Sequence, residues 1–347
     1  MAFYHPLKGF ILSNDNGNGK KDLKVVPWSV DHVEFDGTKW ISVSSPLSSS
    51  VRPFCRTEYI PIPCGQCIGC KLSKAREWAF RCMMESQYYS ENYFVTLTYD
   101  DKSVPVSFYG NHDTGEVEES LTLRKRDFQL FIKRLRESQQ RIYGNQIRYF
   151  GCGEYGGRFH RPHGHFIFFG LHLEDLKPSF RSKTGHQLYS SEYLSKIWDS
   201  GIVTIGDLTF EDAGYVSRYT TKKLTGKMSD FYEIFNIEPE FILMSRKPGI
   251  GGHFYDDYKD SVYEHDSVVL RTALGGKTSK PPKYFDRRYD IDNPAHMAYT
   301  KSQRKQICDY LDSLKDTDLS EQEYREAQEY AKLKQSKLLR RSLHESA

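Results

Sequence analysis

A chain of 347 residues, 38% apolar and 27% charged, holds enough material for one large domain or two modest ones, with an ordinary soluble balance. A net charge of +3 does not by itself mark a nucleic-acid binder, and no run of about 18 apolar residues offers a membrane span. The N-terminus lacks the apolar core of a secretion signal, and seven cysteines with three bunched together argue against a disulfide framework, so a reducing cytoplasm is expected.

Residues 1–60 read as extended and loop-rich, with NDNGNG and PLSSS as turn signals. The cluster Pro63-Cys64-Gly65-Gln66-Cys67-Ile68-Gly69-Cys70 leads into a helix over 71–90, and the alternating β-branched and aromatic run 93–99 into a strand. Asp113-Thr114-Gly115 suggests a hairpin or loop tip. A helix is expected over 122–140, where Phe128, Phe131, Ile132 and Leu135 recur at i, i+3, i+4 and i+7 and form one apolar stripe. Strands come next at 146–151 and 163–169, joined through Gly153-Glu154-Tyr155-Gly156-Gly157, then a short helix at 188–198 and a strand at 201–205. Thr209-Phe210-Glu211-Asp212 resembles a capping box that opens a helix, and Gly226 stands where a C-terminal glycine closes one. Residues 228–300 mix turns with aromatic segments, including Pro248-Gly249-Ile250-Gly251. A charged helix begins near residue 295, and no repeat stands out.

Local charge says more than net charge. The stretch 124–148 carries Arg124, Lys125, Arg126, Lys133, Arg134, Arg136, Arg141 and Arg148 against Asp127 and Glu137. A second group, Arg218, Lys222, Lys223 and Lys227, falls on the helix after Thr209. Such patches neutralise phosphates, although many basic helix faces are merely solvated. The 14% of aromatic residues suits base stacking and core packing equally.

On a strand, His163 and His165 point to one face, about 6–7 Å apart. Two imidazoles so placed can hold one divalent ion and leave positions for phosphate oxygens and water. The run Phe166-Ile167-Phe168-Phe169 anchors that strand. Glu154, just before the turn feeding it, is one candidate third ligand, and His160 is the other. An isolated H-x-H arises freely by chance, so the pair gains weight only from a second motif about fifty residues later.

There, Tyr215, Tyr219 and Lys222 fall at i, i+4 and i+7, one stripe of a helix. Tyrosine stripes usually pack a core, but a core would have to desolvate Lys222 beside the rings. Facing a metal, the three residues make chemical sense. A phenol is a poor nucleophile at neutral pH unless the scissile phosphate is polarised and charge on the leaving 3′ oxygen is stabilised. Attack by either tyrosine leaves a 5′-phosphotyrosine and a 3′-hydroxyl, and Lys222 adds positive charge beside them.

Cys64, Cys67 and Cys70, with Cys55 upstream, have the residue types for one zinc held by four thiolates. Reduced cysteines near a helix start are the plainer alternative.

As a set, Phe94-Val95-Thr96-Leu97-Thr98-Tyr99-Asp100, Arg161-Pro162-His163-Gly164-His165-Phe166 and Tyr215-x-x-x-Tyr219-x-x-Lys222 occur in the order of the three motifs of rolling-circle replication initiators in the HUH endonuclease superfamily. With the cysteine cluster, Gly153-Glu154-Tyr155-Gly156 and Pro248-Gly249-Ile250-Gly251, the chain resembles replication initiators of the Microviridae, gokushovirus type, over roughly residues 55–290. The resemblance implies an α+β fold: an antiparallel HUH-type sheet with flanking helices, the histidine strand central and the tyrosine helix across it. An N-terminal region with the cysteine cluster (1–90), an endonuclease core (91–227) and a C-terminal region with a helical tail (228–347) are expected.

It also implies a nick at the phage origin, priming from the 3′-hydroxyl and alternation of the paired tyrosines, with Mg²⁺ or Mn²⁺ as cofactor. Arg124, Lys125, Arg126, Lys133, Arg218 and Lys223 would meet DNA. Expected partners are single-stranded or supercoiled origin DNA and the host helicase and replication machinery, in the host bacterial cytoplasm and away from membranes. A non-catalytic single-strand-binding or packaging protein, and a relaxase or transposase of the same superfamily, are the competing readings. One departure stands out: the family has a bulky apolar residue between the histidines where this chain has Gly164, and looser strand packing is expected there.

Overall fold

The computed structural model describes residues 3–13, 22–45, 54–111, 114–157, 159–182, 185–219, 229–272 and 275–337. The chain divides into two compact units, one of residues 1–73 with 317–339 and one of 74–316 with 340–347. Among the described residues every strand pair is antiparallel, and the class is α+β.

The first unit holds β1 (Leu7–Ser13), β2 (Asp22–Val26), β3 (His32–Phe35), β4 (Trp40–Val43), β5 (Cys55–Arg56) and β6 (Tyr59–Ile62), in two sheets ordered β2-β1-β6 and β4-β3-β5. Phe10, Val26, Val30 and Val33 form its small core. The C-terminal helix Glu321–Lys337 belongs to this unit rather than trailing as a separate tail. His5 Nε2 lies 2.6 Å from Glu329, and the Arg325 guanidinium 5.3 Å from the Trp28 ring.

In the second unit a seven-stranded sheet carries everything else. After α1 (Ile68–Ser86), whose course contains the boundary between the units, come β7 (Asn92–Tyr99), the hairpin β8 (Val106–Gly110) and β9 (Val117–Leu121), α2 (Lys125–Tyr143), β10 (Arg148–Tyr155) and β11 (Pro162–Phe169). Then follow β12 (Lys177–Arg181), β13 (Gln187–Ser190), α3 (Glu192–Trp198), β14 (Gly201–Asp207), α4 (Phe210–Tyr219), α5 (Asp230–Ile234) and β15 (Phe241–Met244). The strand order is β12-β13-β14-β7-β11-β10-β15, so the histidine strand β11 is interior, between β7 and β10.

Period-two alternation sorts the side chains of these inner strands between two covered faces. One face packs Val95, Leu97, Phe166 and Phe168 under α2 and α3, where Phe128, Phe131, Ile132 and Leu135 are all buried as the stripe predicts. Gly144 ends α2 in the left-handed region at φ 70°, with its N–H on the Gln139 and Gln140 carbonyls. The other face packs Phe94, Cys152, Ile167 and Phe169 under α4 and the second half of α1. The Thr209 cap forms as expected: Asp212 N–H donates to Thr209 Oγ1 at 3.1 Å, and Thr209 N–H to Asp212 Oδ2 at 3.0 Å. Gly226 lies outside the described residues.

Three expectations need correction. The helix foreseen at 188–198 is split, because Ser191 caps a helix that starts only at Glu192, its hydroxyl accepting from Leu194 N–H at 3.1 Å, while 187–190 pair as a strand. Residues 228–300 are more regular than their turn-rich composition suggests: α6 (Gly252–Glu264), the hairpin β16 (Val268–Thr272) and β17 (Gly275–Ser279), α7 (Lys283–Asp292) and α8 (Pro294–Ser313) close over Phe254, Tyr255, Tyr263, Phe285 and Tyr289. Aromatic residues are weak helix formers, so propensity understates these helices. The loosened packing foreseen at Gly164 is not found either. A Cβ there would stand 2.4 Å from Phe128 Cε1, so the ring of α2 occupies the space that a larger residue would need.

Candidate active site

The antiparallel register brings the metal candidates together. Glu154 on β10 pairs directly with His163 on β11, Cys152 with His165, and Thr96 on β7 with His165 from the other side. Directly opposed residues share a face. Glu154, His163, His165 and Thr96 therefore project toward α4 rather than toward α2.

Glu154 Oε1 lies 3.1 Å from His163 Nε2 and 3.1 Å from His165 Nε2. The ligand atoms of the three residues all fall within 4.8 Å of one another. His160 is not part of the group: it is exposed, in a left-handed turn at φ 47°, with its N–H on the Gly156 carbonyl at 3.1 Å. Of the two candidate third ligands, Glu154 is the one placed with the histidines.

The outer nitrogens are also engaged. His163 Nδ1 donates to the Arg161 carbonyl at 3.0 Å, since a carbonyl only accepts, and this leaves Nε2 facing Glu154. His165 Nδ1 and Thr96 Oγ1 are hydrogen-bonded at 3.0 Å. A lone pair facing a carboxylate oxygen at 3.1 Å calls for a cation between them, a proton or a metal. Two imidazoles and a carboxylate suit a first-row or magnesium-type ion, whose neighbouring donors at bond lengths of about 2.1 Å stand about 3 Å apart. The residues fit such an ion. Burial alone would raise the Glu154 carboxyl, but hydrogen bonds and charge from His163 and His165 outweigh it and hold the group well below the usual carboxylate range.

Both tyrosines of α4 meet this cluster. The Tyr215 ring centroid is 5.2 Å from that of His165 and nearly perpendicular to it; Tyr219 is 5.5 Å away and stacked. The two phenol rings are 4.5 Å apart, and their hydroxyls hydrogen-bond to each other. Phe94 lies against both His165, at 5.6 Å, and Tyr215, at 6.2 Å. The group is more enclosed than a pocket open to solvent: Glu154, His165, Tyr215 and Tyr219 are buried, and only the His163 side chain, 15% exposed, reaches the surface.

The basic candidates are dispersed. Arg218 is beside the site, its guanidinium 5.7 Å from the Tyr215 ring. Arg124, Lys125 and Arg126 are exposed at the start of α2, and Lys133 is exposed further along the same helix and 3.7 Å from Glu137. The α2 helix covers the opposite face of the sheet, so these residues do not line the histidine–tyrosine cluster. Lys222 and Lys223 lie outside the described residues.

The cysteines form two groups, not one. Cys64, Cys67 and Cys70 converge, with Cys64 and Cys70 sulfurs 4.0 Å apart, whereas Cys55 pairs across from Glu34 and gathers with it and His32. The expected four-thiolate set with Cys55 is therefore not assembled. Backbone N–H groups of Gln66 and Cys67 point at Cys64 Sγ, at 3.4 and 3.3 Å, and that of Tyr4 at Cys67 Sγ, at 3.4 Å. Burial alone would raise the Cys67 thiol, but hydrogen bonds to its sulfur outweigh it and lower the group, whereas burial leads in pushing the Cys70 thiol up to about 12.

Sequence reasoning passes over Thr96 and the frame that holds the Pro248-Gly249-Ile250-Gly251 turn. Thr96 and Thr98 are the polar members of the otherwise apolar run 93–99 of β7, a signal present in the alternation. The turn is held by Arg81 Nε donating to the Ile250 carbonyl at 3.0 Å, Gly251 N–H donating to Glu85 at 2.6 Å, and Arg148 Nη2 donating to the Pro248 carbonyl at 2.7 Å. Its role is to fix α6 onto α1.

Residues 92–224, the span that contains this site, match the family of replication-associated proteins of the ORF2 type. The chain is 37% identical over 250 residues to the replication-associated protein ORF2 of Spiroplasma virus 4, covering 71% of this chain and 74% of that one. It is 34% identical over 239 residues to the replication-associated protein VP4 of Bdellovibrio phage phiMH2K, covering 67% and 68%. With the replication-associated protein ORF4 of Chlamydia phage 1 the identity is 30% over 167 residues, 47% of this chain and 38% of that one. No solved structure matches. Similarity of this depth along more than two thirds of a relative's length places the chain in the family of Microviridae replication-associated proteins.

Proposed function

We propose that this chain starts rolling-circle replication by nicking single-stranded origin DNA, and later rejoins the ends. The observation that carries the reading is the contact of Tyr215 and Tyr219 with His165, one of three convergent metal-ligand side chains. A core stripe alone has no use for a carboxylate and two imidazoles buried beneath two phenols.

In this reading Glu154, His163 and His165 hold Mg²⁺ or Mn²⁺, which when bound supplies charge to polarise the scissile phosphate and the leaving 3′ oxygen. One tyrosine Oη attacks phosphorus, the P–O3′ bond breaks, the 3′ oxygen takes up a proton, and the 5′ phosphate remains on the tyrosine. The proton lost by the attacking phenol balances the one taken up by the 3′ oxygen, and the second hydroxyl, already hydrogen-bonded to the first, lies within reach to act in a second transfer. Thr96 and the Arg161 carbonyl orient the imidazoles. Because both phenols are buried, a phosphodiester enters only when α4 shifts from the sheet or along the side that exposes His163. No helix of the described residues is long and apolar enough to cross a membrane, and action on phage DNA with host helicase and replication machinery in the host cytoplasm belongs to the same reading.

Incubating the protein with an origin strand and Mg²⁺ or Mn²⁺, then mapping the adduct peptide, tests it. A phosphotyrosine at 215 or 219 is expected. Binding without any adduct would instead support a non-catalytic single-strand-binding or packaging role, and cleavage with no need of the gene for phage DNA synthesis would favour a relaxase or transposase. We further infer that Cys64, Cys67 and Cys70 hold a structural zinc, supported by their convergence and by the N–H groups aimed at the Cys64 and Cys67 sulfurs. Metal analysis should then find zinc that is lost in Cys67→Ser.

A further inference from the structure

A groove away from the histidine–tyrosine cluster runs between α2 and the β15 edge of the large sheet. Two adjoining cavities of about 660 and about 790 Å³ share Gln129, Arg136, Gln146, Ile147 and Tyr149 along their walls, so they form one continuous depression. Segments about a hundred residues apart converge on it: the second half of α2, the start of β10, and the residues after β15.

Its charge is one-sided. Lys133, Arg136, Arg141, Arg148, Arg246 and Lys247 line it, against Glu137 alone among acids. Lys133 is partnered by Glu137 and Arg148 by Glu85. Arg136, Arg141, Arg246 and Lys247 are exposed and make no ion pair among the described residues. Four such cations around one concavity repel each other unless an anion joins them.

The groove is also held in shape. Arg148 is committed inward, donating to the Pro248 carbonyl at 2.7 Å. Ser245 N–H donates to the Tyr149 carbonyl at 2.9 Å and Tyr149 N–H to Ser245 Oγ at 3.1 Å, which fixes the segment presenting Arg246 and Lys247. Half-buried Tyr149 and Tyr89 stand in the wall with ring surface for a base. A strand of phosphates with stacking bases fits this combination better than an isolated anion, for which a fixed guanidinium pair would suffice.

We infer that this groove binds single-stranded DNA as a second contact, remote from the cut. Six residue steps along β10 carry the chain from Arg148 to Glu154, about 20 Å of extended strand. Nucleotides several steps from the scissile phosphate are therefore the ones held here. The inference rests on the reading that the chain acts on single-stranded DNA, but its readout needs no cleavage.

The test measures binding of a fluorescent oligothymidylate of about 20 nucleotides across about 50–200 mM salt, with no divalent metal and with both tyrosines replaced by Phe. Each lost single-strand phosphate contact lowers the slope of log K against log salt by about 0.7, so Arg136→Ala with Arg246→Ala should lower it by about 1.4. Lys283→Ala with Arg287→Ala, an exposed pair on α7 outside the groove, is the control for equal loss of charge and should leave the slope unchanged. An unchanged slope in the groove variant, or an equal fall in the control, overturns the inference. A groove effect confined to duplex DNA overturns the single-strand assignment. A full groove effect in a protein that never forms a phosphotyrosine leaves this inference standing while the nicking proposal fails, and the converse result does the opposite.

Discussion

The Tyr215 and Tyr219 hydroxyls hydrogen-bond to one another while both rings rest on His165, one edge-on and one stacked. This places two nucleophile candidates on one candidate metal-ligand side chain, with ring centroids 5.2 and 5.5 Å from it. Tyr215→Phe and Tyr219→Phe are each expected to keep an adduct through the remaining phenol, and the double variant to lose it to background on a denaturing gel. Either single change already breaks the shared hydrogen bond, a loss of roughly 0.5–1.5 kcal/mol. Urea unfolding of the double variant should thus show less than the sum of the two singles. An adduct that survives the double change removes both residues from the chemistry.

Thr96 is expected to set the orientation of His165 through its 3.0 Å hydrogen bond to Nδ1. Partners of this kind typically change metal affinity by about 10–100-fold. Thr96→Val keeps the shape and removes the hydroxyl, so Mn²⁺ titration followed by electron paramagnetic resonance should show a loss of that order. Thr96→Ser should restore most of it. Equal affinity in all three proteins would mean that the strand alone orients the ring.

Much of this site can be read from periodicity. Alternation puts His163 and His165 on one face, and the i, i+4 spacing puts Tyr215 and Tyr219 on one stripe; both are local and both hold. What periodicity does not carry is register. That Glu154 stands opposite His163, and Thr96 opposite His165, depends on how β10 and β7 slide against β11, a choice made by the whole core. The same limit explains Cys55, which is near Cys64 in sequence yet pairs with Glu34 because its short strand joins a different sheet. Helices α6 and α7 are obscured for another reason, since their buried stripes are built of tyrosine and phenylalanine.

Just past the far end of the histidine strand, His172 offers a pH readout separate from the candidate metal ligands. His172 Nδ1 is 2.8 Å from Glu91 and Nε2 is 3.5 Å from Glu174, and the hydrogen bond to Glu91 leads in raising the imidazole above its ordinary value of 6.5. A raised folded-state value means that the pair stabilises the fold fully below the unfolded value and that this contribution is lost as pH rises through the folded one. NMR titration should place His172 above a free histidine, and Glu91→Gln should bring it down. The variant should also flatten the decline in urea stability from mildly acidic to mildly alkaline pH. A His172 titration indifferent to Glu91 would contradict the assignment.

Gly164 and Phe128 behave as one packing unit, and a substitution series can show it. A Cβ at 164 stands 2.4 Å from Phe128 Cε1 and 2.8 Å from Phe166 Cε2, inside a face with no room to yield, since Phe128 is fully buried against Trp198 at 5.3 Å and Phe241 at 5.6 Å. Gly164→Leu should therefore destabilise by about 1–3 kcal/mol through overpacking. Phe128→Ala alone should cost about 3–5 kcal/mol through the cavity it leaves. Combined, the leucine grows into that cavity, so the double variant should be more stable than the two losses added, with a coupling of about 0.5–3 kcal/mol. The measurement is a double-mutant cycle in urea, with Mn²⁺ affinity recorded alongside because the histidines flank the same glycine. Strict additivity, or a Gly164→Leu protein as stable as the parent, would show that the strand can accept a side chain there without the ring giving way, and the glycine would then have no packing reason to stand between the two imidazoles.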